Sequence, residues 1–143
     1  MSEADNRRLV QMAYDALNDH DLERYGNFVD DSYVVETVAA PTPIRGREAV
    51  KQFAATYFKA FPDFHQEIEQ MIASGDWVVS RWHVTGTHRG EFNGIAATNR
   101  RISLRGMNLS EIKNGRIVKT MISYDQLAIL QQLGIAKAAG AAS

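Results

Sequence analysis

The sequence predicts an α+β fold in which helices cover one face of a curved antiparallel sheet, and three observations predict it. In the first part of the chain, apolar residues recur with the 3.6-residue period of amphipathic helices. From about residue 64 onward the pattern changes to long runs of strand type, punctuated by turn residues. The two halves meet once, without an internal repeat, so the helices must bury their stripes on the sheet that follows them.

Leu9, Met12, Ala13, Ala16 and Leu17 follow helical spacing and define the first helix. "NDHD" breaks it, and Asp21 is placed to cap a second, short helix through Leu22, Tyr25, Phe28 and Val29. "SYVVET" reads as a short strand, and Pro41 and Pro43 keep the next loop irregular. "REAVKQFAATYFKAF" is the clearest helix, carrying Val50, Phe53, Ala54, Tyr57, Phe58 and Phe61 on one stripe and stopped by Pro62. Strands are predicted over residues 64 to 73, 77 to 87, 101 to 112 and 116 to 124, with turns at "SGD" and "KNGR". A last helix, "DQLAILQQLG", is stopped by Gly134. The reading is therefore one domain over residues 1 to 134, followed by a frayed tail over 135 to 143.

The 143 residues, 45% of them hydrophobic, suffice for one core and not for two domains. Sixteen basic against seventeen acidic residues give no electrostatic reason to bind nucleic acid or an anionic membrane. With no cysteine, disulfides, thiolate metal sites and cysteine nucleophiles are excluded. His20, His65, His83 and His88 show no ligand spacing, so no metal site is expected. "MSEADNRRL" has no apolar signal core, and no run approaches the roughly 18 apolar residues of a membrane span. A cytoplasmic location is the simplest expectation.

A strongly bent sheet closed by helices on its concave side leaves a cone whose mouth can stay open as a pocket. Alternation sorts the strand over residues 77 to 87 into one face with Trp77, Val79, Arg81, His83 and Thr85 and another with Val78, Ser80, Trp82, Val84 and Gly86. Both faces are mixed. A two-residue turn at Asn114-Gly115 pairs Ile112 with Ile117, Asn108 with Met121 and Leu104 with Asp125, which places Asp125 on the face of Met121 and Asn108 unless a bulge intervenes.

"AFPDFHQEIEQMIASGDWVVSRW", "GTHRGEFNGIAATNRR", "KNGRIV" and "YDQLAILQQLG" together resemble the SnoaL-like polyketide cyclases, a branch of the nuclear transport factor 2-like cone fold. The resemblance runs from about Leu9 to Gly134. It implies that Asp125, opening "D…QLG", is the general acid/base. Epoxide hydrolases of the same fold carry an Arg-x-Asp on a central strand, and here that strand reads Arg81-Trp82-His83. His83 thus stands where that family has aspartate, and two more positions depart from the pattern: Met121 stands where many relatives have tryptophan, and Glu111 about where the cyclases carry a pocket histidine. A homodimer through the convex sheet face is implied as well.

The implied reaction is an intramolecular aldol closure on a small apolar or aromatic substrate, needing a base, an acid and no metal or redox cofactor. An ordinary aspartate, with a pKa near 3.9, is a poor base until burial strengthens it. Asp125 is the expected acid/base, with Arg81 stabilising negative charge and His83 orienting or relaying; Asn108, Met121, Tyr14, Tyr57 and His88 are the expected substrate contacts. Structural roles compete for each. Asp125 also stands where a helix-capping aspartate belongs; Arg81 suits an outer-face salt bridge; His88 lies in a turn between glycines; Tyr14 and Tyr57 suit packing. The alternatives are an epoxide hydrolase, isomerase or dehydratase, with a water held between Asp125, Arg81 and Asn108, and a noncatalytic small-ligand or dimerisation module whose cone is filled by side chains.

Overall fold

A computed structural model describes residues 2–136. The tail expected from residue 135 therefore lies, beyond Ala136, outside the described residues. Helix α1 spans Glu3–Asn18. It starts six residues earlier than the apolar stripe because Ser2 and Asp5 form a reciprocal capping box, each side chain taking the other's backbone N–H. It buries Leu9, Val10, Ala13, Tyr14 and Ala16. His20, at a φ of 55°, turns the chain into α2, Leu22–Gly26, which Asp21 caps by accepting from the Arg24 N–H, as the sequence predicted.

Strand β1, Val29–Thr37, and the two-residue β2, Ile44–Arg45, lead into α3, Arg47–Ala60. Pro62 ends α3 and leaves Phe61 fully buried. Strands β3 (His65–Ser74), β4 (Trp77–Thr87), β5 (Arg101–Lys113) and β6 (Arg116–Tyr124) follow as an antiparallel meander, and α4, Gln126–Gln132, comes last. Gly134, at a φ of 79°, ends it where expected.

The sheet order is β2-β1-β6-β5-β4-β3, with β1 parallel to β6 and every other pairing antiparallel. Buried Val78, Trp82, Val84, Ile102, Leu104 and Ile112 lie on the inner sheet face and share one core with α1, α3 and α4. This is the expected α+β cone. The outer face leaves Ile72, Trp77 and Met107 exposed, on the surface where the sequence placed a homodimer. Among the described residues no helix is long and apolar enough to cross a membrane.

The hairpin register corrects the sequence reading. Lys113 pairs with Arg116 and Ile112 with Ile117 across Asn114-Gly115, as the turn predicts, but a bulge follows and Glu111 pairs with Lys119. Beyond it every partner moves by one: Asn108 faces Ile122, not Met121, and Gly106 faces Tyr124. One extra residue exchanges the two faces of β6. Thr120, Ile122 and Tyr124 therefore line the cone, while Met121 does not, and Asp125 falls past the strand's end.

Candidate active site

The inner face of the sheet, α3 and α4 line a half-open apolar cavity with about 140 Å³ of free space. That is close to the ~150 Å³ of an engineered apolar cavity that binds benzene, so one aromatic ring fits and a fused-ring ligand requires widening. Phe53, Tyr57, Phe58 and Phe61 come from α3 and its C-terminus, Trp82 and Val84 from β4, and Ile129 from α4. Tyr57 packs edge-on to Phe53 and Phe64, at centroid distances of 5.2 and 6.5 Å. The aromatic stripe that looked like core from the sequence is thus the cavity's helical wall.

None of the described residues lining the cavity carries a formal charge; its polar groups are hydroxyls and amides. Tyr25 donates to Tyr33 at 3.2 Å, Tyr33 to Thr120 at 2.7 Å, and Thr120 lies 3.1 Å from the Ser110 hydroxyl. Asn108 accepts from the Trp82 indole N–H at 2.9 Å, which turns its NH₂ away from the indole. The Tyr57 and Tyr124 hydroxyls stand 3.5 Å apart. Burial raises the pKa of both phenols, and for Tyr57 the neighbouring Tyr124 raises it further. They are neutral hydrogen-bond donors across the ordinary pH range.

Several expected site residues lie elsewhere. Arg81 and His83 are on the outer face of β4, where His83 bonds the Ser103 hydroxyl at 2.7 Å; between them Trp82 points inward. Arg81 and Asn108 are thus on opposite faces of the sheet, and the constellation required for a hydrolytic water is not assembled. Met121 shares the outer face. Asp125 is exposed and accepts from the Ala128 N–H at 3.2 Å, capping α4, although its neighbours in the fold, Tyr124 and Ile129, both line the cavity.

Asn108 and Tyr57 do line the cavity. Tyr14 is not at a mouth: it is buried beside a small adjoining cavity of about 30 Å³ and shares a 2.9 Å hydrogen bond with Ser80. His88 is fully buried away from the cavity, 5.5 Å from the Phe61 ring, with Nδ1 accepting from the Thr98 N–H. It closes the loop between β4 and β5 on itself. Sequence reasoning missed Gln66, Tyr25, Tyr33 and Tyr124. The period of two could have found Gln66 and Tyr124 once the inner face was known; no local signal marks Tyr25 or Tyr33, whose hydroxyls meet only through the fold.

The comparisons with known proteins agree with this architecture. The chain is 30% identical over 129 residues to the aklanonic acid methyl ester cyclase DnrD of Streptomyces peucetius, covering 88% of each chain. Among solved structures it resembles IdmH, a putative polyketide cyclase from Streptomyces antibioticus (28% identity, TM-score 0.80, 90% of this chain and 98% of that one). It also resembles AclR, a putative hydroxylase from Streptomyces galilaeus (26%, TM-score 0.85, 96% and 85%). A putative SnoaL-like polyketide cyclase from Jannaschia, at 20% identity and a TM-score of 0.87 over 94% of each chain, shares the fold. The family model described as SnoaL-like polyketide cyclase matches residues 7–133, and the chain belongs to that family.

Proposed function

We propose that the protein closes a ring in a neutral aryl polyketide by intramolecular aldol condensation inside this cavity. The observation that carries the reading is a half-open, tyrosine-bearing cavity with no charged residue among the described residues that line it, in a chain of this family. In the closure a base removes a proton from carbon between two carbonyls, and the resulting enolate carbon bonds to a ketone carbon. The carbonyl electron pair becomes an alkoxide, which an acid protonates, so product and substrate are isomers. Tyr57 and Tyr124 supply neutral O–H donors for the enolate and alkoxide oxygens.

Asp125 is the proposed base. To act, its carboxylate must leave the Ala128 N–H and turn toward the space lined by Tyr124 and Ile129. An N-cap is worth about 1 kcal/mol, a modest cost against a catalytic contribution of roughly a hundred- to ten-thousand-fold. Without a cation in the lining, a buried ligand carboxylate would be unpaired, so the cavity favours an ester over the free acid. The relative named as a methyl ester cyclase supports the same substrate form.

Turnover of an aryl β-keto ester panel tests the reading, followed by absorbance and by chromatographic separation of the isomeric ring-closed product. Asp125→Asn is expected to lose at least about a hundredfold at equal folded concentration, and each ester to outrun its free acid. Full activity in Asp125→Asn with loss in Tyr124→Phe would transfer the proton chemistry to the tyrosine pair. A second reading, a noncatalytic carrier of aromatic ligands, is favoured by the absence of carboxylate and imidazole among the described residues that line the cavity. It predicts tight binding of the esters with no ring-closed isomer formed.

A further inference from the structure

We propose that the side-chain amide of Gln66 is the polar anchor of the cavity, hydrogen-bonding a carbonyl or hydroxyl oxygen of a neutral aromatic ligand and so selecting oxygenated over hydrocarbon occupants. The inference rests on the reading of the cavity as an aromatic-ligand site. Gln66 lies on the inner face of β3, opposite Val84, and both residues line the cavity. It is only 8% exposed.

Apart from the Tyr57 and Tyr124 hydroxyls, assigned above to the reacting oxygens, and the Asn108 NH₂, the other polar groups of the lining are already engaged. Tyr25, Tyr33 and Thr120 form their own chain, Asn108 Oδ1 holds Trp82, and Thr37 Oγ1 accepts from the Ala39 N–H. The Gln66 amide has no hydrogen-bond partner among the described residues, and neither of its polar atoms is sealed within the protein. An amide set in an otherwise apolar wall is poorly hydrated, and an apolar residue of the same length would fill the wall without that cost. A ligand oxygen removes the penalty: the NH₂ donates to a ketone, and the amide oxygen accepts from a hydroxyl.

The backbone of Gln66 is held for this purpose. Asn18, the last residue of α1, donates from Nδ2 to the Gln66 carbonyl at 2.9 Å and accepts the Gln66 N–H on Oδ1 at 2.8 Å. This two-bond clamp on an edge strand fixes where the side chain leaves the sheet. The anchor is therefore positioned before a ligand arrives, and less ordering is left for binding to supply. With no charge among the described residues that line the cavity, the group it recognises is neutral.

The test is calorimetric titration of the wild type and Gln66→Met with acetophenone, a single-ring aryl ketone, and ethylbenzene, its hydrocarbon counterpart, together with the melting temperature of each free protein. Gln66→Met is expected to reduce the ratio of ketone to hydrocarbon affinity roughly tenfold, the size of one neutral hydrogen bond. Its melting temperature is expected to equal or exceed that of the wild type. An unchanged ratio overturns the proposal. So does a variant that melts several degrees lower, since the amide would then be structural. If the wild type binds neither compound, the aromatic-ligand reading of the cavity falls and the anchor with it; if it binds both and only the ratio stays fixed, the anchor alone falls.

Discussion

At Gly106 a Cβ would lie within contact distance of the Trp82 six-membered ring and 2.7 Å from the Ser123 carbonyl oxygen. The missing side chain is what lets the indole lie flat across β5 and reach Asn108. Gly106→Ala is expected to cost about 1–3 kcal/mol in urea unfolding, because one methyl must displace a ring and a backbone oxygen in a packed wall. Ligand affinity should fall as well, since the Trp82 face of the cavity shifts. A glycine inside a strand signals such a close approach, but the sequence does not say what approaches. Asp125 shows the same limit. Its position before an amphipathic helix was legible as both cap and catalyst, and the 3.2 Å bond to Ala128 shows the cap. Which side chains surround the carboxylate depends on the register of the strand before it.

That register is decided at the scale of the element. The strand limits, the Asn114-Gly115 turn and its first two cross-strand pairs were legible, because turn chemistry and alternation are local. The bulge after Ile117 was not, since both faces of β6 mix polar and apolar residues and neither resisted the exchange. Parallel pairing with β1 breaks register at the same level, between Val29 and Val34, so the irregularity is shared by two strands. At the opposite edge, the Asn18 clamp replaces the strand that β3 lacks. Asn18→Ala removes two hydrogen bonds and recovers some helix propensity, for a net expected loss of about 1–2 kcal/mol. Hydrogen exchange localises the effect: the Gln66 amide should lose protection by at least about tenfold, while amides of β5 keep theirs.

Across the whole molecule, charge and hydroxyl groups are distributed in a way that composition alone does not reveal. The chain has five tyrosines, and each of them, Tyr14, Tyr25, Tyr33, Tyr57 and Tyr124, is turned into the core or the cavity. Burial raises all five pKa values above the ordinary 10. In the unfolded chain these phenols lose their protons near pH 10, while the folded chain keeps them. Between those limits the folded state binds more protons than the unfolded one, so stability is full below about pH 10 and declines as pH rises further. A titration followed at 295 nm should therefore show almost no phenolate while the protein is native, then one cooperative step that coincides with loss of far-ultraviolet circular dichroism. A protein with surface tyrosines would instead ionise gradually before it unfolds. A gradual rise near pH 10 with the dichroism intact would mean that at least one of these hydroxyls is open to water. Tyr57 and Tyr124 are the ones to examine first, because a cavity that widens for a fused-ring ligand must expose that pair.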